Sequence, residues 1–366
     1  MSASEDVGYM EMAFGLAEKA RGRTSPNPMV GAVVVNAGRV IGWGFHEKAG
    51  GPHAEIIALE RAGGRTRRAT LYVTLEPCTH WGKTPPCVDR VLAAGLSRVV
   101  IASRDPNPVV NGKGIARLKR AGLAVTTGVL GERHERLNEA HIKFITTGLP
   151  FVTVKAALSL DGKIAARTGD ARWVSSPASR EYAHLLRGEN DAVLVGIGTV
   201  AADDPRLTVR HKSWGRKSVT RVILDPELDL PAGAAVLKTL DRGPVLVFTA
   251  AGRTLEKHRR LESAGVELVE VESRGGRLDL GRVLAELGRR ELISVLVEGG
   301  SRVITSFIEG KLADKAFLFL CPKLVGGETA PGLLGGSGVE RMAEAMRLKK
   351  TRQFRLDGDI ILEGRF

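Results

Sequence analysis

The sequence predicts an α/β protein of two domains, on three observations. Apolar strand runs alternate with helical periodicity along most of the chain, the helix-breaking stretch Thr146-Thr147-Gly148-Leu149-Pro150 interrupts that alternation, and 366 residues are too many for one core. Single cores stop growing near about 250 to 300 residues. The boundary is expected near residue 148, with Phe151-Val152-Thr153-Val154-Lys155 opening a new strand, so the domains are 1–148 and 149–366.

Met10, Ala13, Phe14 and Ala17 fall at helical spacing, and residues 6–20 therefore read as an amphipathic helix ending near Gly22. Val30 to Val35 and Val40 to Phe45 read as strands joined at Asn36-Ala37-Gly38, where glycine supplies the positive φ of a tight hairpin. Helix 53–62, strand 70–75, helix 88–94, strand 98–102, helix 113–121, strand 123–126 and a closing helix 131–146 follow, giving a layered α/β unit. Buried-strand runs at 191–195, 221–224, 244–248, 293–297 and 316–320, with helices between most of them, repeat the class in the second half.

Hydrophobic residues at 43% and charged residues at 26% are ordinary for a packed enzyme and exclude a disordered chain. No run approaches the ~20 apolar residues of a membrane span, and Met1-Ser2-Ala3-Ser4-Glu5-Asp6 carries no secretory signal, so a cytoplasmic protein without membrane contact is expected. Three cysteines cannot build a disulfide framework and are available as thiol ligands. A net charge of +13 and a pI near 9.9 favour an anionic partner: a phosphorylated metabolite, a phosphorylated cofactor or a nucleic acid. The basic runs Arg65-Thr66-Arg67-Arg68 and Lys349-Lys350 are short and read as solvated faces.

Pro52-His53-Ala54-Glu55 lies where the Gly50-Gly51 loop enters a helix, and Glu76-Pro77-Cys78 lies where a strand ends. A zinc hydrolase needs three protein ligands and one position left open for water, and His53, Cys78 and Cys87 supply the three. Cys87 stands at a helix start, where free amides and the dipole favour the thiolate. Glu55, beside the metal without ligating it, is placed to take the water proton and return it to a leaving amine. His-x-Glu with Pro-Cys is the zinc-deaminase signature, but its second cysteine normally follows after two residues. Here eight intervene, and the inserted loop from Thr79 to Pro86 supplies candidate substrate contacts. A closed zinc knot with His80 as fourth ligand is the bland alternative, and it leaves Glu55 without a role.

In the second half, Val154 to Ala165 runs from a strand into an Asp-Gly turn, and Thr199 to Arg210 follows a buried strand, where open α/β sheets bind ligands. Val295-Leu296-Val297-Glu298-Gly299-Gly300-Ser301-Arg302-Val303 is a buried strand, two glycines and an amphipathic helix. That arrangement can hold a pyrophosphate on free backbone amides. Cys321, alone on a strand, reads as a small buried hydrophobe.

His-Ala-Glu together with Pro-Cys-x-His-x-Gly-x-Thr-Pro-Pro-Cys resembles the bifunctional deaminase-reductase family of riboflavin biosynthesis, and with the second-half motifs the resemblance spans nearly the whole chain. It implies a cytidine-deaminase-like three-layer α/β/α domain followed by a dihydrofolate-reductase-like α/β domain. The first removes an exocyclic amine from a diamino-ribosylamino-pyrimidinone phosphate with Zn2+, and the second reduces the ribose to a ribityl chain with NADPH. By resemblance Glu55 is the proton shuttle, and Asn27, His46, His80 and Lys83 contact the deaminase substrate. The cofactor contacts implied are Ala157, Trp173, Thr199, Asp203 and the turn Gly300, Ser301, Arg302, Val303, Ile304, Thr305 and Ser306. The reductase substrate contacts implied are Lys155, Ala171, Leu207, Arg210 and Glu298, with Arg210 a phosphate clamp and Glu298 kept ionised beside a helix N-terminus. Ala171 replaces the family's small polar residue, so its contact is expected through the backbone. The partners implied are the phosphorylated pyrimidine and further copies of the chain, as a dimer or tetramer, with no nucleic acid.

Two other readings share parts of this pattern. A tRNA or single-strand editing deaminase uses the same zinc chemistry but keeps two residues between its cysteines and has no second α/β domain. A nucleic-acid-binding zinc module predicts a fourth ligand and a steep salt dependence of binding.

Overall fold

The computed structural model describes residues 2–79, 81, 85–108 and 110–366. The chain divides into two compact units, Met1–Gly148 and Leu149–Phe366. In the first, the order is α1 (Ala3–Glu18), β1 (Gly31–Asn36), β2 (Arg39–Phe45), α2 (Ala54–Ala62), β3 (Thr70–Val73), α3 (Cys87–Ala93), β4 (Arg98–Ile101), α4 (Lys113–Arg120), β5 (Ala124–Thr127), α5 (Gly131–Leu137) and α6 (Glu139–Thr147).

The sheet runs β2-β1-β3-β4-β5, antiparallel across β2, β1 and β3 and parallel from β3 to β5. Strand side chains alternate between faces. Ala32, Val34, Leu71, Val73, Val99 and Ile101 therefore pack on one side with α2, α3 and α4, whereas Val33, Val35, Tyr72 and Val100 meet Met10, Phe14 and Ala17 of α1 on the other. These are the three layers expected. Helix α1 starts three residues before the predicted position because Ser2 and Glu5 form a reciprocal capping box. The hairpin loop is tighter than expected: only Ala37 and Gly38, both at positive φ, separate Asn36 from its partner Arg39.

Glycine lets this hairpin sit between two helices. A Cβ on Gly31 would stand 1.9 Å from the Ala13 carbonyl oxygen, and one on Gly42 would stand 2.2 Å from that of Ala58. Gly31→Ala is expected to destabilise the unit by about 1–3 kcal/mol through overpacking, read as a lower denaturation midpoint.

The single helix expected over 131–146 is two helices, broken at Asn138, which has φ −111° and ψ 23°. The Asn138 amide holds the Met29 backbone instead of continuing the helix face, accepting from its N–H at 2.7 Å and donating to its carbonyl at 3.0 Å.

The second unit comprises β6 (Phe151–Ser159), α7 (Pro177–Glu189), β7 (Ala192–Gly196), α8 (Ile197–Asp203), β8 (Thr220–Leu224), β9 (Val245–Ala250), α9 (Leu255–Ser263), β10 (Glu267–Val271), β11 (Ser273–Arg274), β12 (Arg277–Leu278), α10 (Leu280–Arg289), β13 (Ser294–Gly299), α11 (Ser301–Glu309), β14 (Lys315–Cys321), β15 (Lys349–Leu356) and β16 (Asp359–Arg365). Its main sheet runs β10-β9-β8-β7-β13-β6-β14-β16-β15, parallel through β14 and antiparallel in the last hairpin; β11 and β12 pair separately. Strand β13, late in the chain, lies between β6 and β7. Val154, Leu194, Val295 and Val297 pack against α10 and α11, while Leu296, Phe317 and Phe319 pack with Leu186 of α7 on the opposite face. Burial on both faces explains why these strands read as continuous apolar runs. No helix among the described residues is long and apolar enough to cross a membrane.

Candidate active sites

In the first unit, the loop after β2 delivers His53 as the residue that caps α2, with no capping bond from its side chain. A serine or aspartate would serve better as a cap, and histidine there leaves an imidazole free to ligate. Cys78 follows β3, and Cys87 is the first residue of α3. Their donor atoms lie within 4.8 Å of one another: His53 Nδ1 is 3.0 Å from Cys87 Sγ and 3.7 Å from Cys78 Sγ, and the Cys87 amide donates to Cys78 Sγ at 3.3 Å. The hydrogen bond from Cys87 outweighs burial and, with His53, holds the Cys78 thiol below its ordinary value; the same bond and burial push Cys87 up. One imidazole and two thiols, one poised to ionise, are a donor set that fits zinc, and three protein ligands leave a fourth position open. Glu55, in the first turn of α2, is 3% exposed. Burial pushes its carboxyl up to about 7, against the charge of His53.

Asn27 and His46 meet beside this cluster. His46 Nδ1 faces the Pro52 carbonyl at 3.0 Å and therefore carries the ring proton, so its Nε2 accepts from the Asn27 amide at 3.1 Å. Burial lowers the His46 pKa and keeps it neutral. The chain of bonds fixes the Asn27 carboxamide, leaving its oxygen to face another partner. Asn138 and His141, which donates to the Pro26 carbonyl at 3.1 Å, pin the loop on either side of Asn27. Asn138→Ala is expected to raise KM for the reaction at this site about tenfold with a smaller fall in kcat, because the loop loses two part-buried bonds. Initial-rate kinetics check this. His80 and Lys83 lie outside the described residues; Trp81 between them is exposed.

Sequence reasoning missed Glu76. Its buried carboxylate accepts from the amides of Asp105, Gly112 and Ile115 at 3.2, 2.9 and 3.0 Å, which fixes the strand end leading to Cys78. An acid at a strand end, two residues before a ligand, was the available signal.

In the second unit, a cleft of about 1420 Å³ opens at the carboxyl ends of β6, β7, β8 and β13. Lys155, Ala157, Ala171, Trp173, Thr199, Asp203, Leu207, Arg210, Glu298, Gly300, Ser301, Arg302, Val303, Ile304 and Ser306 all line it. Thr305 does not: its hydroxyl donates to the Ser301 carbonyl at 2.8 Å and accepts from the Gly335 amide at 2.9 Å. A Cβ on Gly300 would stand 3.3 Å from Thr199 Oγ1, so bare backbone here leaves room above the free amides of α11. That cradle and the cleft's size fit a dinucleotide.

Arg187 of α7 grips Glu298 through two 2.6 Å bonds, and its remaining nitrogen donates to the Thr208 carbonyl at 3.1 Å. Burial pushes Glu298 up, but the Arg187 charge and bonds prevail and hold it below the usual carboxylate range. Arg187, rather than the start of α11, is therefore what keeps Glu298 ionised. Lys155 is pushed down by burial against the pull of Glu298. Arg187 was not singled out from the sequence; an arginine in the stripe of Ala183 and Leu186 was the clue.

Comparison with known proteins adds three findings. Residues 3–103 match the model of the cytidine and deoxycytidylate deaminase zinc-binding region, and residues 150–362 match that of the RibD C-terminal domain. Riboflavin biosynthesis protein RibD of Aquifex aeolicus is 44% identical over 98% of this chain and 97% of that protein; the Escherichia coli K12 protein is 37% identical over 94% and 95%. Solved structures of Acinetobacter baumannii RibD and of a Thermotoga maritima diaminohydroxyphosphoribosylaminopyrimidine deaminase/5-amino-6-(5-phosphoribosylamino)uracil reductase are also similar. They superimpose with TM-scores of 0.88 and 0.86 at 35% and 38% identity, covering 100% and 99% of both chains in each pair.

Proposed function

The chain belongs to the RibD family of riboflavin biosynthesis proteins, a deaminase and reductase in one polypeptide, and on that premise we propose how its residues divide the work. Residues 1–148 deaminate 2,5-diamino-6-(5-phosphoribosylamino)pyrimidin-4-one, and residues 149–366 reduce the ribosyl group of the product to ribityl with NADPH. The similarity over 98% of the chain, reaching into both units, carries this reading.

Zinc held by His53, Cys78 and Cys87 supplies, when bound, a Lewis acid that lowers the pKa of water at its open position. Glu55 takes a proton from the attacking water and passes it to the exocyclic nitrogen, which leaves as ammonia. The Asn27 amide oxygen accepts from an N–H of the ring, with His46 fixing its direction, and His80 and Lys83 are further substrate contacts, the Lys83 charge serving the phosphate.

In the reductase, NADPH supplies the hydride. Ala157, Trp173, Thr199, Asp203 and the turn Gly300 to Ser306 hold it, and the free amides at the start of α11 take its pyrophosphate. Lys155 polarises the sugar oxygens, Arg210 clamps the substrate phosphate, and Glu298, ionised by Arg187, orients the hydroxyls of the sugar. Leu207 and the backbone of Ala171 complete that contact. Editing of nucleic acid is not favoured, because residues 150–362 match a reductase family. A cytoplasmic homo-oligomer, dimer or tetramer, completes the proposal, and sedimentation tests its stoichiometry.

The decisive experiment incubates the protein with the diamino-pyrimidinone ribosyl phosphate and follows ammonia and NADPH in one vessel. Lys155→Ala is expected to slow NADPH oxidation about 10²-fold or more while ammonia release continues. Loss of both activities together would refute separate sites.

A further inference from the structure

The reductase cleft extends beyond the residues assigned above. From Lys155 on β6 it passes Glu298 on β13 and Thr199 after β7, then reaches Leu224 and Pro226 at the end of β8 and Gly275-Gly276-Arg277 of the β11–β12 hairpin. The strands stand in the series β6-β13-β7-β8-β9, and β12 packs beside β9. At about 4.8 Å per strand, the far end lies roughly 14 Å beyond the pyrophosphate cradle at β13. A dinucleotide with its pyrophosphate at α11 and its nicotinamide toward β6 must direct its adenosine toward β8 and this hairpin.

The arginines lining the cleft separate by what they already do. Arg187 is paired with Glu298, Arg172 donates to the Asp203 carbonyl, and Arg180 donates to the Ser175 carbonyl and stacks on Trp173. Arg210 bonds Thr208 and feels the charges of Arg206, Arg187 and Glu298, which places it at the substrate end with Arg206. Arg302 belongs to the first turn of α11, the turn whose amides are assigned above to the pyrophosphate. Arg277 is exposed, on the hairpin at the adenosine end, and its side chain has no ion pair or hydrogen bond among the described residues. Pro226, which lines the same cleft after β8, has no N–H to offer.

We propose that Arg277 binds the 2′-phosphate of the dinucleotide and so sets the reductase's preference for NADPH over NADH. A guanidinium meets a phosphate dianion through two parallel N–H bonds, whereas the bare 2′-hydroxyl of NADH offers no charge. The assignment rests on the NADPH reading above.

Calorimetric titration of the full-length protein with adenosine 2′,5′-bisphosphate and with 5′-AMP separates the two claims. The unmodified protein is expected to bind the bisphosphate about tenfold or more tighter than AMP. Arg277→Ala removes that difference and leaves AMP affinity unchanged, Arg277→Lys keeps part of it, and Arg274→Ala, on the same hairpin but outside the cleft, keeps all of it. In turnover, Arg277→Ala lowers kcat/KM for NADPH by the same factor and leaves NADH turnover and ammonia release unchanged. An Arg277→Ala protein that still discriminates overturns this assignment alone. An unmodified protein that binds both ligands equally overturns the NADPH reading and this assignment with it.

Discussion

Glu55→Gln protein is expected to release ammonia about 10²- to 10⁴-fold more slowly than the unmodified enzyme, the usual worth of a general acid–base, while its zinc content stays unchanged. Glutamine keeps the shape and burial of the side chain but cannot accept and return a proton. The position is buried in the first turn of α2, so an isosteric change is the one that leaves the ligand geometry alone. Metal analysis and an ammonia assay on the same sample give the result. NADPH oxidation with the deaminated product supplied directly is expected to proceed at its normal rate. Cys87→Ala provides the contrast: it removes a ligand, and zinc and ammonia release are lost together. A Glu55→Gln protein that still deaminates at full rate would show that the proton moves by another route.

The second large effect is expected at Arg187. Its side chain and that of Glu298 are 14% and 7% exposed, so Arg187→Leu strands a carboxylate in the protein interior. Breaking such a pair costs about 3–5 kcal/mol, whereas replacing both partners by apolar groups is often near neutral. Arg187→Leu is therefore expected to unfold at clearly lower denaturant, the double change Arg187→Leu/Glu298→Leu to recover most of that loss, and neither to oxidise NADPH. The pH dependence has a definite sign. In the unmodified protein the Glu298 pKa is lowered in the folded state, so its stabilising contribution is present above the unfolded pKa and lost as pH falls through the folded one. Without Arg187, burial, the largest influence on the group, pushes that pKa up against only the charges of Lys155 and His184. The penalty in Arg187→Leu is then largest at neutral pH and shrinks toward acid, where the stranded carboxyl takes up a proton. Denaturation curves at pH 5 and pH 8 measure it; an equal penalty at both would mean that lost packing, not charge, is the cause.

The parts of the fold legible in the sequence were those whose cause is local. Val33 and Val34 face opposite layers because strands alternate, and the Gly38 turn announces its own hairpin. The convergence of His53, Cys78 and Cys87 was legible because metal chemistry restricts which residues can stand at those spacings. What escaped depends on partners far along the chain. The break at Asn138 exists because its amide reaches Met29, 109 residues away, and nothing in 131–146 alone interrupts helical periodicity. Arg187 owes its place in the cleft to its pairing with Glu298, 111 positions later. Strand β15, with Lys349, Lys350 and Arg352, has the composition of a solvated loop; it is a strand because β16 pairs with it, and its exposed charges suit a sheet edge.

The position of β13 between β6 and β7 bears on how the polypeptide matures as it leaves the ribosome. All five strands of the first sheet have been made by residue 127, so that unit can close early. The second sheet must hold β6 and β7 apart, or unpaired, until residues 294–299 arrive to join them, and pairing over such sequence separations is intrinsically slow. A nascent chain stalled before residue 294 would therefore expose the apolar edges of β6 and β7, and it is at this stage of synthesis that the protein has the greatest need of chaperone protection.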